Sequence, residues 1–218
     1  MCLAVPNIFK VDYTNGNFTL ASQTRMSANQ EFDTVDLIVN STSETRGVDA
    51  FALSVIKAER QLRKLFTHLV FQFPCFGSSD IGALRDALAN NKRIYFSEIE
   101  NCINALCSST VEKMVGADYS RLRQRVEEAI ECRNKIFHGQ LTQRFLARED
   151  LLGFVQDIRG WCDALTEGAV SHIGYDGFAR NSFRKSASRD LSANFKVQFS
   201  RVDDYAQFLK QHMRARNS

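Results

Sequence analysis

Arg133-Asn134-Lys135-Ile136-Phe137-His138-Gly139 closes a charged stretch that begins near Asp118, and its register governs the reading of the chain. Working back from it, Val126, Ile130, Phe137 and Leu141 fall on the three-to-four spacing of a buried helical stripe, which predicts a helix over 118–141. The same register passes through Arg133. A guanidinium on an apolar seam is costly unless it is paired or faces a wet cavity. Asn134 and His138 are four apart and share a helix face. Arg133 and His138 are five apart, about 140° around an axis that turns roughly 100° per residue. Either the helix bends between them or a second copy of the chain supplies the missing half.

Outward from this stretch the pattern is helical. Phe51, Val55, Ala58, Leu62, Phe66, Leu69 and Phe73 keep near-heptad spacing, predicting a core helix over 48–73 that Pro74 stops. Glu59 and Arg63 within it read most simply as a solvated pair. Ser79 or Asp80 can cap a short helix ending at Asn90-Asn91. Ser97 with Glu100, and Ser109 with Glu112, fit the capping box, so each should open a helix. Arg148-Glu149-Asp150 opens the last long helix, striped by Leu151, Val155, Ile158, Cys162 and Leu165, with Trp161 flanking. It should run raggedly past Gly168 towards Gly177.

The two ends differ from this body. Ile8 to Tyr13 and Phe18 to Leu20 flank Asn15-Gly16, a hairpin turn signal, and Asp36 to Val39 reads as a third strand or a helix start. Asn194 to Ser200 alternates like a strand, and Val202 to Arg214 is a short amphipathic helix. The expected organisation is a mainly α chain with short β/α appendages. Residues 1–46 form a hairpin-like extension, 47–178 a bundle of four to five helices, and 179–218 a basic extension. From Arg180 to Ser218 nine Lys and Arg face three Asp and Glu, which makes that end either an RNA-touching surface or a solubilising tail.

With 44% hydrophobic and 24% charged residues the chain falls among ordinary globular proteins, and its length should bury roughly 70% of the unfolded surface. The six cysteines include no C-x-x-C pair and no zinc spacing with histidine, so no metal and no cofactor is expected. With no signal peptide and no apolar run of about 18 residues, a reduced, cytoplasmic protein is expected. No glycine-rich phosphate loop and no Gly-x-Ser-x-Gly elbow is present, so nucleotide hydrolysis and acyl transfer have no support.

The residues Arg133-Asn134-x-x-x-His138-Gly139 resemble the R-x(4–6)-H signature of the HEPN family (higher eukaryotes and prokaryotes nucleotide-binding), in its R-N-x-x-x-H form. The likeness covers about 48–177. It implies an all-helical, often dimeric protein, and for many members a metal-independent ribonuclease of toxin–antitoxin or anti-phage systems acting on tRNA or mRNA. Arg63 and His68 repeat the spacing, but Arg63 lies off its helix stripe and is followed by Lys64.

Metal-free RNA cleavage uses the ribose 2′-OH as nucleophile, so the protein need supply only proton transfer and charge stabilisation. His138 would move the proton, Arg133 would meet the charge growing on the phosphate, and Asn134 would hold the imidazole. Arg121, Arg125 and Lys135 on the motif helix, with Arg184 and Lys185 in the basic end, are the candidate RNA contacts. Bland readings stand beside these. His138 can be a helix C-cap before Gly139, and Arg133 a structural cation paired with Glu59 or Glu98. The alternative function is a non-catalytic helical partner of a nucleotidyltransferase or an antitoxin.

Overall fold

The computed structural model describes residues 20–91, 94–142, 146–178, 181–186 and 190–213, with side chains from Gln30 onward. Among them are eight α-helices: α1 (Leu20–Val39), α2 (Arg46–Phe71), α3 (Ile81–Ala89), α4 (Phe96–Leu106), α5 (Val111–Val115), α6 (Tyr119–Phe137), α7 (Arg148–Ile173) and α8 (Val202–His212). The chain is mainly helical, and none of these helices is long and apolar enough to cross a membrane.

The central pair is α2 and α7. Every residue of the α2 stripe from Phe51 to Phe73 is at most 1% exposed. The stripe finds its partner in α7: Phe51 packs on Phe154 at 5.5 Å, and Gln61 donates to Thr166 Oγ1 (2.8 Å) and Cys162 O (3.1 Å). Rising residue numbers pair with rising ones, so the two helices run in the same direction. Helix α6 packs antiparallel on α7, because Arg125 meets Asp157 while Leu122, earlier on α6, meets Gly160. Trp161, expected to flank the α7 stripe, is fully buried against Phe96 and Tyr119.

Gly168 does not fray α7. A Cβ there would stand 1.7 Å from the Met114 carbonyl oxygen, so the glycine lets α5 cross α7 at backbone contact. The helix continues to Ile173 and stops at Gly174, whose φ of +71° suits glycine. Asp80 accepts from the Gly77 N–H just ahead of α3. The next two starts shift, by two residues and by one. Helix α4 begins at Phe96, before Ser97, and Glu100 turns inward (4% exposed) instead of reaching back to a cap. Thr110, not Ser109, caps α5 by accepting from the Lys113 N–H.

The expected β appendages fare differently. The hairpin around Asn15-Gly16 lies outside the described residues. Leu20 already belongs to α1, and Asp36 to Val39 is its last turn, with Phe32 and Val35 buried in the core. Asn194 to Ser200 is not a strand; a single antiparallel bridge joins Phe195 to Cys107. Its alternation is satisfied by ring packing, since Phe195 and Phe199 sit 4.1 and 4.5 Å from Phe73. The amphipathic helix beyond it is α8, which buries Tyr205, Phe208 and Leu209.

Candidate active site

Helix α6 ends four residues short of the stripe that predicted it. Its C-cap is His138, and Gly139 takes φ +63°. The Gln140 N–H donates to Lys135 O (2.8 Å) and the Gly139 N–H to Ile136 O (3.1 Å). These are the two bonds of a Schellman ending, which satisfies carbonyls that the helix leaves open. The expected burial of Phe137 and Leu141 is therefore overturned: they are 61% and 96% exposed. Leu141 has left the helix, and the described residues leave most of Phe137 on the last turn uncovered.

Arg133 faces α2. Its Nη2 donates to Glu59 Oε1 at 2.5 Å, with the two side chains 17% and 20% exposed, while its Nε is buried without a hydrogen-bond partner. Glu59 thus pairs across helices with Arg133, and Arg63, its expected partner, is exposed. A cation on a seam demands an anion on the facing helix, and Glu59 stands on the flank of the α2 stripe. That demand was readable; the choice between Glu59 and Glu98 was not.

Asn134 and His138 lie on the solvent side of α6. Among the described residues their side chains make no hydrogen bond, so the expected grip of Asn134 on the imidazole is not formed in the isolated chain. Arg133 points inward and His138 outward, and one chain does not bring them onto one reacting atom. Exposed apolar side chains border the Arg133–Glu59 pair. Phe137 is one turn along α6 from Arg133, and Ile56 (46% exposed) is one turn along α2 from Glu59. The other Arg–His spacing is structural: His68 is fully buried, its ring 4.4 Å from that of Tyr175.

The candidate RNA contacts split into three groups. Arg121 is 60% exposed and pairs with Asp118 (3.3 Å) and Asp157 (3.7 Å). Arg125 is committed to Asp157 (2.7 Å) and Glu128 (2.5 Å) and lies over the Phe154 ring, whereas Lys135 is half-buried with no ion pair among the described residues. Arg184 is exposed, but Lys185 donates to the Phe71 and Phe73 carbonyls at 2.5 and 2.6 Å, closing the C-terminal end of α2. That end is 12 or more residues from Glu59, about 18 Å along the helix. Lys185 and Arg133 therefore do not share one site within the chain.

Burial pushes the Cys102 thiol up to about 12 and raises Cys162 as well, so these are inert core thiols. Among the described residues no three His, Cys, Asp or Glu side chains cluster to hold an ion. No family profile, curated protein or solved structure matches the chain.

Proposed function

We propose that this chain is a metal-independent endoribonuclease of the HEPN type, acting as an isologous dimer. The observation that supports it most is the end of α6, where Glu59 tethers a half-buried guanidinium within two turns of an uncovered imidazole. Phe137, Ile56 and Leu141 beside it are too exposed for an isolated surface and suit a second copy. Two-fold pairing of these patches would set Arg133 of one protomer against His138 of its partner, closing the 140° gap.

In that arrangement His138 takes the 2′-OH proton or protonates the departing 5′-oxygen. Arg133, permanently charged, forks onto the phosphate oxygens as negative charge grows. Asn134, on the His138 face, orients the ring once substrate or partner excludes water. The resemblance extends the proposal to a toxin or anti-phage role, with tRNA or mRNA as substrate and an antitoxin or nucleotidyltransferase as a further partner.

Cleavage of RNA by purified protein in excess EDTA tests the reading. The products should carry a 2′,3′-cyclic phosphate and a 5′-hydroxyl, and DNA, lacking the 2′-OH, should be untouched. Loss of activity on chelation, or wild-type cleavage by His138→Ala, would rule it out.

A second reading is favoured by the same contacts. Arg133–Glu59 is then a structural ion pair, His138 a helix cap, and the exposed end of α6 a docking face for a nucleotidyltransferase or antitoxin. It predicts no cleavage of RNA and co-purification with a second protein.

A further inference from the structure

The pairing of Glu59 with Arg133 leaves a charge behind on α2. Glu59 and Arg63 stand four residues apart on one face of that helix, the spacing at which a glutamate and an arginine hold each other. Glu59 instead gives its carboxylate to Arg133 across the helices, at 2.5 Å. Arg63 is exposed and has no ion pair among the described residues. Two guanidiniums thus flank one carboxylate, and one positive charge is left over.

The other charges on this side are taken. Arg60, one turn earlier on α2, is held by Glu31 (2.8 Å), and Lys57 shares that carboxylate (3.3 Å). Lys64 donates to the Phe178 carbonyl (2.6 Å). On α6, Glu127 lies on the same side as Asn134 and is held by Arg123 (3.3 Å). Arg63 shares its exposed α2 stripe with Ile56, but lies about 10 Å beyond it and so at the rim of the apolar patch. The Arg–His spacing repeated there builds no second active site, because His68 is fully buried. Along the axis Arg63 is about 6 Å past Glu59, close to the step between neighbouring phosphates of an RNA strand.

We propose that Arg63 grips the RNA backbone at the phosphate next to the one that is cleaved, an inference that rests on the ribonuclease reading. Arg133 meets the scissile phosphate in that reading, and Arg63 stands one phosphate step away along α2. A guanidinium forks onto two phosphate oxygens and needs no proton transfer to do so. The neighbouring phosphate does not change during the reaction. Arg63 therefore holds substrate and transition state alike, which lowers KM and leaves kcat to Arg133 and His138.

A single-stranded RNA oligomer methylated at every 2′-oxygen lacks the nucleophile and binds without being cut. Fluorescence anisotropy of that probe with the full chain, across a salt series, tests the contact. Arg63→Gln should weaken binding about fivefold and lower the salt slope by about 0.7, the share of one phosphate on a single strand. Arg63→Lys should restore the slope and only part of the affinity, since lysine keeps the charge and loses the fork. With cleavable RNA, Arg63→Gln should raise KM by a similar factor and hold kcat within about twofold. Arg60→Gln removes an equal charge that Glu31 already neutralises, and should move the slope less than half as far. Equal effects of the two glutamine variants, an unchanged slope in Arg63→Gln, a loss confined to kcat, or a wild type that binds no probe would each overturn the contact. Where RNA is still cut in those cases, the ribonuclease reading stands without it. A lowered slope in Arg63→Gln with no cleavage by the wild type sinks the ribonuclease reading and upholds the phosphate contact.

Discussion

The first turns of α6 and its last two carry similarly mixed charges, yet they end in opposite states. At the front, Arg121, Arg123 and Arg125 each hold at least two carboxylates, drawn from α4, α7 and α6 itself or the turn leading into it. The Glu100 carboxylate, 4% exposed, takes both Arg123 Nε (2.6 Å) and the Tyr119 hydroxyl (2.9 Å). Burial and the nearby Glu100 charge push that phenol up to about 12, so it stays protonated and keeps donating. At the back, Arg133 has Glu59, and Glu131, Asn134, Lys135 and His138 are left without ion pairs or side-chain hydrogen bonds among the described residues. Charge patterning along one helix does not separate a paired surface from an unpaired one. What separates them is whether the neighbouring helices place their own charges opposite.

The comparison is broken most forcefully at the front. Arg123→Met leaves the Glu100 carboxylate buried beside an uncharged side chain and should cost about 3–5 kcal/mol of stability by urea denaturation. Adding Glu100→Leu should recover much of that loss. A wild-type midpoint for the single variant would show that the front cluster is not structural.

At the back, the expected loss is in rate. His138→Ala should lower RNA cleavage roughly a hundredfold or more, about 2.7 kcal/mol of barrier, with the melting temperature unchanged. Arg133→Ala should match it in rate and also melt earlier, because Glu59 loses its partner. If both variants melt early and cut normally, the two ends of α6 are alike after all.

Phe137→Asp probes the apolar patch at the end of α6. Light scattering at micromolar concentration should give about twice the 24.8 kDa chain mass for the wild type and a single chain mass for the variant. Cleavage should fall with the dimer. A wild-type monomer that still cuts RNA would remove the shared site.

The smallest effect belongs to Arg121. Its pairs are exposed, so Arg121→Ala should change stability by less than about 1 kcal/mol. If it touches phosphate, RNA affinity should drop severalfold and the salt slope by about one. An unchanged slope would place Arg121 wholly with the structural front.

What the sequence disclosed follows the same physics. The α2 stripe was legible because each of its members meets another apolar surface, and Arg133 was conspicuous because it interrupts such a stripe. The identity of its partner was hidden, since Glu59 had a nearer candidate in Arg63. Helix α1 escaped because its polar composition offers few apolar positions besides Phe32, Val35 and the residues after them. The end of α6 was misplaced because apolar spacing continues through Leu141 in the sequence while the left-handed Gly139 stops the helix. The alternation at 194–200 signalled burial correctly and pairing wrongly; aromatic rings met the demand that a ladder of backbone bonds would otherwise meet.

Helix α8 bears on the order of events during synthesis. Tyr205, Phe208, Leu209 and Met213 belong to the same core as Phe66, Phe73 and Leu106, which are made long before them. Until α8 is made, those earlier residues lack the apolar partners it gives them in the folded chain. On the ribonuclease reading proposed above, the fold around the motif would be completed only well after the motif itself has been made.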